Sequence, residues 1–178
     1  MNLWHDITIG KNSPEEFNCI IEIPKGSHNK YEIDKETGLI KLDRANYGPA
    51  AYPFDYGFVP QTLWEDGDAL DVILLSTFPV NTGVLVNARP VALLEMTDSG
   101  ESDYKIIAVP VEDRRWEDVK DLADLNNHSL REFQNFFETI KQLKGKPAVV
   151  EIHGYKGKAE AIEAIEKAQK LYSEKFGK

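Results

Sequence analysis

Apolar and polar positions alternate in short runs through the first two thirds of the chain, which is the spacing of β-strands with one buried face. Turn-forming residues separate one run from the next. The pattern predicts strands over residues 18–23, 30–34, 39–43, 52–59, 69–75, 83–94 and 104–110. Many short strands in close succession favour a barrel or a sandwich.

The last third of the chain changes to helical spacing. Ser129 and Glu132 form a capping box, which predicts that a helix begins there. Its apolar stripe comprises Leu130, Phe133, Phe136, Phe137, Ile140 and Leu143. A weaker helical pattern covers 116–125, and the pattern over 148–152 predicts a returning strand. A final amphipathic helix is marked by Ala161, Ile162, Ile165, Ala168, Leu171 and Tyr172.

These elements together predict an α+β fold, mainly β, in which a small barrel is flanked by C-terminal helices. The sequence shows no internal repeat, low-complexity tract or linker. We therefore expect a single domain over residues 1–178. The one cysteine, Cys19, lies in an apolar run, which predicts a buried structural thiol.

The charge balance limits the classes of partner. The chain carries 30 acidic and 21 basic residues, a net charge of −9, which opposes general binding to nucleic acid or to an anionic membrane. The N-terminus lacks a signal-peptide pattern, and no segment reaches the ~18 apolar residues of a membrane helix. We therefore expect a cytoplasmic protein. An anionic ligand would need a basic pocket or bound cations.

Three aspartates, Asp66, Asp68 and Asp71, lie close together at a turn that enters an apolar strand. A bound hard cation would relieve their repulsion, and oxygen donors without histidine or thiolate favour Mg²⁺ or Mn²⁺ over zinc. An EF-hand is excluded, because a loop that starts at Asp66 would have Asp71 instead of glycine at its sixth position. A solvated acidic turn is the alternative interpretation.

A second acidic group has a similar composition. Asp98 and Asp103 lie in a hairpin-like turn, and Asp103 shares a strand face with Lys105. This similarity supports a common site for the two groups. A surface ion pair between Asp103 and Lys105 is the alternative interpretation.

Charged residues also interrupt the apolar strands upstream, namely Glu22, Lys30, Glu32 and Arg44. Burying such charges unpaired costs roughly several kcal/mol each, so they should meet partners or a ligand. Exposed edge strands are the alternative interpretation.

Aromatic residues form a further stripe. If the segment is extended, Tyr52, Phe54, Tyr56 and Phe58 share one face, and the two phenols can donate hydrogen bonds. Packing in the core is the more common role of such a stripe.

The sequence lacks the signatures of several enzyme classes. There is no Walker-type phosphate loop, no dinucleotide-binding glycine pattern and no nucleophile elbow. The four histidines lack the spacing of a zinc site. Covalent catalysis therefore has no obvious nucleophile.

In their order and spacing, these fragments resemble the soluble family I inorganic pyrophosphatases of prokaryotic type, and the match extends over nearly the whole chain. The matching positions are Glu22 before Ile23 and Pro24, Lys30 through Asp34, Asp43 with Arg44, Tyr52 through Gly57, Asp66 through Asp71, Asp98 through Lys105, and Phe136 through Lys141. The resemblance implies a five-stranded, OB-like barrel with flanking helices, a cytoplasmic location and a homohexamer.

The resemblance also implies an activity, the hydrolysis of pyrophosphate to two orthophosphates by in-line attack of a metal-activated water. Asp68 would be the general base. The metal ligands would be Asp66, Asp71, Asp103, Asp98 and Glu22. The phosphoryl groups would be bound by Lys30, Arg44, Tyr56, Lys105 and Lys141, with Glu32 and Tyr52 in the surrounding polar shell. The implied cofactor is Mg²⁺, several ions of it, with Mn²⁺ or Zn²⁺ as substitutes and Ca²⁺ as an inhibitor.

Two positions depart from the family pattern. Ala69 stands where the aspartate motif usually has proline, which loosens that turn slightly. Ile140 stands where a tyrosine normally precedes Lys141, which removes a possible phosphate ligand. In the alternative interpretation, Ile140 belongs only to the apolar stripe, and Tyr155 or water takes the place of the missing hydroxyl.

Two rival functions follow from the same residues. An OB-like barrel can be a noncatalytic module that binds single-stranded nucleic acid, although the carboxylates around the cavity would repel a phosphate backbone. A metal-dependent hydrolase of nucleotides or polyphosphates is the second rival. Phosphate release from pyrophosphate, compared with ATP and with binding of an oligonucleotide, separates the three.

Overall fold

The computed structural model describes residues 1–146 and 149–177. In this part of the chain the strands are β1 (Phe17–Ile23), β2 (Asn29–Ile33), β3 (Ile40–Ala45), β4 (Asp55–Phe58), β5 (Asp71–Leu74), β6 (Leu85–Asp98), β7 (Glu101–Ser102), β8 (Lys105–Pro110) and β9 (Val150–Lys156). The α-helices are α1 (Asn127–Thr139) and α2 (Lys158–Phe176). The predicted strand over 148–152 is observed as β9, and its predicted first residue, Ala148, lies outside the described residues.

Five strands close into a ring, and this ring is the barrel. β1 pairs with β4, β4 with β5, and β5 runs parallel to β8, whereas β8 and β1 both pair with β6. A closed ring has no unpaired edge within it. The predicted five-stranded, OB-like barrel of a mainly β, α+β fold is therefore confirmed.

The long strand β6 connects the barrel to the rest of the sheet. It pairs with β1, β8, β7 and β9, and its register shifts near Pro90 and again near Met96. Such irregularities bend a strand and increase its twist, which a small barrel requires. The prediction ended this strand at residue 94, but the strand continues to Asp98 and carries this residue of the second acidic group to the barrel rim.

The strands β2 and β3 form a separate two-stranded sheet, which we call the β2–β3 hairpin. The strands predicted over residues 30–34 and 39–43 are therefore observed, but they lie outside the five-stranded barrel. Their residues are half-buried or exposed and rich in charge, so they cannot occupy a barrel wall with a fully apolar inner face. The hairpin is attached to β1 through Glu22, whose Oε1 accepts the Ile33 N–H at 2.7 Å.

One face of the barrel strands and α2 form one core cluster. Apolar residues of β1, β5 and β8 pack with the alanine-rich face of α2, which includes Ala161, Ala164, Ile165 and Ala168. Small side chains on that face let the helix approach the barrel closely. The predicted C-terminal helix is confirmed, and Cys19 is a fully buried thiol in this cluster, as expected.

The helix α1 packs on a second cluster made of aromatic rings. The Phe54 ring lies 5.1 Å from that of Phe133 and 5.6 Å from that of Phe136, and the Tyr52 ring lies 4.7 Å from that of Phe136. This confirms the core role of most of the predicted aromatic stripe. Phe58 lies apart from it, in a cluster with Trp4. Within residues 1–146 and 149–177, neither helix has the length and apolar character needed to cross a bilayer.

Three helical predictions need correction. The helix begins at Asn127 instead of Ser129, because the Asn126 side chain accepts hydrogen bonds from the N–H groups of His128 and Ser129 and so caps it earlier. Leu143 is 69% exposed in a short 3₁₀ turn, so the apolar stripe ends at Ile140. The weak pattern over 116–125 corresponds to two 3₁₀ turns, Arg114–Trp116 and Leu122–Asp124.

Gly57 in β4 lies where two strands come very close, which gives a test of the barrel. A Cβ atom at this position would lie 2.0 Å from the Ile20 carbonyl oxygen in β1. We expect Gly57→Ala to destabilise the protein by about 3 kcal/mol, since overpacking that must move backbone is costly. This corresponds to a fall in Tm of roughly 6–12 °C by thermal unfolding.

Gly48→Ala is the matched control for this variant. A Cβ atom there would make an ordinary contact, 3.6 Å from Leu143 Cδ1. We expect the Tm of this control to stay near that of the parent protein. Equal Tm values for the two variants would contradict the close approach of β1 and β4.

Candidate active site

An open cavity of about 650 Å³ lies between the barrel rim, the β2–β3 hairpin and the end of α1. The structure brings together at this cavity every residue that the sequence singled out for the site. These residues are Glu22, Lys30, Glu32, Arg44, Tyr52, Tyr56, Asp66, Asp68, Asp71, Asp98, Asp103, Lys105 and Lys141. The departures from the family pattern, Ala69 and Ile140, line the same cavity.

The acidic turn, residues 65–68, forms one edge of the cavity. The Asp66 side chain accepts the Asp68 N–H at 3.0 Å, and the Trp64 N–H donates to the Asp68 carbonyl at 2.7 Å. Gly67 has a φ of +87°, a conformation that suits glycine and lets the turn close tightly. As a result, the Asp68 carboxylate projects to the cavity mouth with its side chain 57% exposed.

Lys105 is a buried ammonium that joins two aspartates at the barrel rim. Its Nζ donates to Asp71 Oδ2 at 2.6 Å and to Asp103, and its side chain is only 3% exposed. The Tyr56 hydroxyl donates to the same Asp71 oxygen at 2.6 Å. The surface ion-pair alternative for Asp103 and Lys105 is therefore wrong, because the pair lies inside the site.

Burial and neighbouring charges shift the pKa values of this wall. Burial lowers the pKa of Lys105, but Asp103 and Asp71 more than offset it, so the pKa lies above its usual value. Burial, with Asp71 and Asp103 adding to it, raises the pKa of Asp66 to about 6. Burial and the charge of Asp71 raise the pKa of Glu22 to about 8. These carboxylates lie close enough to repel one another.

The opposite wall is the β2–β3 hairpin, which carries cations. Lys30 Nζ donates to Glu32 at 2.8 Å and to Asp43 at 3.1 Å, and Arg44 donates to the same Asp43 oxygen at 2.6 Å. The Arg44 guanidinium lies 5.2 Å from the centre of the Tyr47 ring. Among the described residues, the buried Nε of Arg44 has no acceptor, which leaves a donor for a ligand.

The end of α1 completes the cavity with Lys141, whose Nζ donates to Asp98 in β6. Burial raises the pKa of Asp98, but the hydrogen bond and the charge of Lys141, with smaller contributions from Ser99 and Lys105, together outweigh burial and hold that pKa below its usual range. Ile140 is buried in the aromatic cluster next to Lys141. The Tyr155 hydroxyl donates to the Leu130 carbonyl at 2.6 Å, so it does not replace a hydroxyl at position 140.

The side-chain oxygen atoms of the cavity are the type of ligand that a hard divalent cation prefers, although the described residues do not form a ready-made set of metal ligands. Among the described cavity residues, the acidic side chains supply oxygen donors, and none is histidine or cysteine. Burial is the main cause of the raised pKa of Asp66, and the nearby charges of Asp71 and Asp103 add a repulsion that a cation would relieve. Within residues 1–146 and 149–177, no three acidic, histidine or cysteine side chains converge as a metal site, since Lys105 separates Asp71 from Asp103.

Sequence reasoning gave no role to several further residues of the cavity region, among them Asp43, Lys35 and Trp4. Asp43 was part of the matched motif but received no role, although it holds both Lys30 and Arg44. Lys35 pairs with Asp68, and Trp4 lines the cavity floor. Only the alternation of Lys30, Glu32 and charged neighbours hinted at Lys35, and no local signal pointed to Trp4.

Comparisons with known proteins agree with this geometry. A sequence profile of the family described as inorganic pyrophosphatase matches residues 19–173. The chain is 46% identical to an inorganic pyrophosphatase of Haloferax volcanii over 180 residues, which cover 99% of each chain. It is 44% identical to soluble inorganic pyrophosphatase 1 of Arabidopsis thaliana over 171 residues, which cover 96% of this chain and 80% of the relative.

A solved structure supports the same assignment. The crystal structure of inorganic pyrophosphatase from Thermus thermophilus superimposes with a TM-score of 0.93 at 42% sequence identity, covering 97% of this chain and 99% of that one. The profile, the relatives and the fold therefore lead to one conclusion. This chain belongs to the family I inorganic pyrophosphatases.

Proposed function

We propose that this protein hydrolyses inorganic pyrophosphate to two orthophosphates with the help of divalent cations, Mg²⁺ first among them. One observation supports the proposal most strongly: a carboxylate wall and a cationic wall face each other across one cavity, in a chain of this family. Pyrophosphate is a small polyanion that can bridge two such walls when cations accompany it.

The proposed roles follow the two walls. Bound divalent cations supply charge neutralisation and lower the pKa of a water molecule when present. Their ligands would be Asp66, Asp71 and Asp103, with Asp98 and Glu22 helping. Asp68 would accept the proton of the attacking water, since its exposed carboxylate stands at the cavity mouth.

The cationic side chains would bind the phosphoryl groups. Arg44 can use its free Nε for a phosphate oxygen, in keeping with the bidentate geometry of guanidinium. The other phosphate contacts would come from Lys30, Tyr56, Lys105 and Lys141. Glu32 would hold Lys30, and Tyr52 would close the aromatic side of the cavity. Charge that shifts to the leaving phosphate would then be neutralised in place.

Further proposals concern the whole protein. One pyrophosphatase domain over the whole chain and a cytoplasmic location rest on the sequence pattern together with the family resemblance. A homohexamer rests on the family resemblance alone. Substitution of Mg²⁺ by Mn²⁺ or Zn²⁺, and inhibition by Ca²⁺, are also proposed.

The first prediction concerns the reaction itself. Purified protein should release phosphate rapidly from pyrophosphate with Mg²⁺, and chelation should abolish the release. Ca²⁺ should bind but support little turnover, because its longer and more flexible coordination neither positions nor acidifies water as well. ATP and a single-stranded oligonucleotide are the comparators. No release at any Mg²⁺ concentration, together with tight oligonucleotide binding, would replace the proposal with a binding module.

The second prediction separates a base from a metal ligand. Asp68→Asn should lose ~100-fold or more in kcat while the Mg²⁺ activation curve keeps its midpoint, because the amide keeps the shape of the side chain while removing the proton acceptor. Asp71→Asn should shift that midpoint to higher Mg²⁺ concentration. The measurement is phosphate release as Mg²⁺ is titrated, with Tm as a check on folding. Identical activation curves for the two variants would show that this division of roles is wrong.

The third prediction concerns Ile140. In Ile140→Tyr, a new hydroxyl beside Lys141 should lower the KM for pyrophosphate by about 10-fold or more, since a hydrogen bond to a charged group contributes about 1.5–3 kcal/mol. The larger ring in a buried position should also lower the Tm slightly. Ile140→Phe is the matched control, with the ring but no hydroxyl. Equal KM values for the two variants would show that Ile140 is only a core residue.

A further inference from the structure

The β2–β3 hairpin and the acidic turn meet across the cavity mouth at Lys35. This residue follows β2 in the hairpin turn. Its Nζ pairs with Asp68 and lies 3.4 Å from the Gly67 carbonyl oxygen, so it contacts two residues of the acidic turn. No other hairpin lysine with an ion pair in the described part of the chain reaches this turn, because Lys30 and Lys41 pair with carboxylates of the hairpin itself.

Below this contact, the hairpin and the acidic turn share an apolar floor. Trp4 packs in one cluster with Ile33 and Ile40 of the hairpin and with Ala69 next to the acidic turn. The Trp4 Nε1 donates to the Thr62 carbonyl at 2.7 Å, which fixes the indole in place. The floor limits how close the two elements can come, and the Lys35 ammonium lies 6.0 Å from the centre of the indole ring. The ion pair thus joins the two elements above a fixed spacer.

We propose that Lys35 is a positioning residue of this site, which holds the Asp68 carboxylate at the cavity mouth and ties the acidic turn to the hairpin that carries Lys30 and Arg44. The inference rests on the proposed role of Asp68. Lys35 acts through Asp68 and through the spacing of the two walls, and it makes no contact with substrate.

The exposure of the pair separates this role from a role in stability. The side chains of Lys35 and Asp68 are 55% and 57% exposed, and an ion pair that exposed changes the folding equilibrium by about five-fold at most. Catalysis is far more sensitive, since a misplacement of about 1 Å can cost about 100-fold in rate. Loss of the tie should therefore appear in turnover and hardly at all in Tm.

The test is a double-mutant cycle with Asp68. Lys35→Met keeps the length of the side chain and removes its charge. We expect kcat to fall about 10-fold when Asp68 is present but less than about 2-fold in the Asp68→Asn background, because residues that act through one another are not additive. Lys35→Arg, which keeps the charge, should restore most of the activity.

Lys41→Met is the matched control. Lys41 is 49% exposed and pairs with Asp34 at 3.3 Å and Glu32 at 3.6 Å, both on its own side of the cavity mouth. Any fall in kcat that Lys41→Met causes should be the same factor with Asp68 present and in the Asp68→Asn background. If Lys35→Met also lowers kcat by the same factor in both backgrounds, or only raises the KM, Lys35 is a substrate-binding charge and the inference is wrong. Full activity of Lys35→Met would also overturn it.

A second readout does not depend on turnover. Hydrogen exchange of the amides at 65–68, measured without metal or substrate, should become faster by up to about five-fold in Lys35→Met and stay unchanged in Lys41→Met. Unchanged exchange in both variants would show that Lys35 does not hold the turn. Failure of the proposed function looks different, because the parent protein itself would then fail to hydrolyse pyrophosphate.

Discussion

The burial of a charged lysine between two carboxylates is the constraint on which the site depends. Lys105 is one of the least exposed charged side chains described, and it can remain charged only because Asp71 and Asp103 both contact it. Removing one partner of a buried pair costs about 3–5 kcal/mol, so neither carboxylate is free to leave. Asp71 and Lys105 are also direct neighbours in the parallel pairing of β5 with β8. The β5–β8 pairing, which is one of the five pairings of the barrel ring, therefore also brings together the polar centre of the cavity.

A cavity with two charged walls needs cations that are held in place but still free to bind an anion. Lys30 and Arg44 share the carboxylate of Asp43, which fixes both side chains and neutralises part of their charge. Arg44 keeps its Nε without an acceptor among the described residues. Because the hairpin lies outside the barrel ring, its distance from the carboxylate wall is set by the hydrogen bond from Ile33 to Glu22, by packing on Trp4 and by contacts across the cavity mouth. In the described part of the chain, no strand pairing joins the two walls.

The sequence predicted the features of the fold that local patterns determine, and it missed the features that depend on contacts between distant residues. Alternation located the barrel strands, and helical spacing located the aromatic face of α1, because burial of one face imposes both periods. The capping box at Ser129 was a weaker signal than Asn126, whose side chain accepts hydrogen bonds from the N–H groups of His128 and Ser129 and so begins the helix before Ser129. The separate hairpin and the Lys35 contact depend on residues far apart in the chain. The site set came from motif resemblance, since no single motif could decide between a site and a solvated surface.

The aromatic layer explains how a helix outside the barrel ring affects the charges at the barrel rim. The rings of Tyr56 and Phe137 lie 5.7 and 5.8 Å from the Lys105 ammonium, and both belong to the cluster that anchors α1. Rings at this distance attract a cation through their faces and keep water away from it. With less water, the attraction between Lys105 and its carboxylates is stronger than at the surface. The packing of α1 thus contributes to the electrostatics of the cavity, and the same helix delivers Lys141 to its far side.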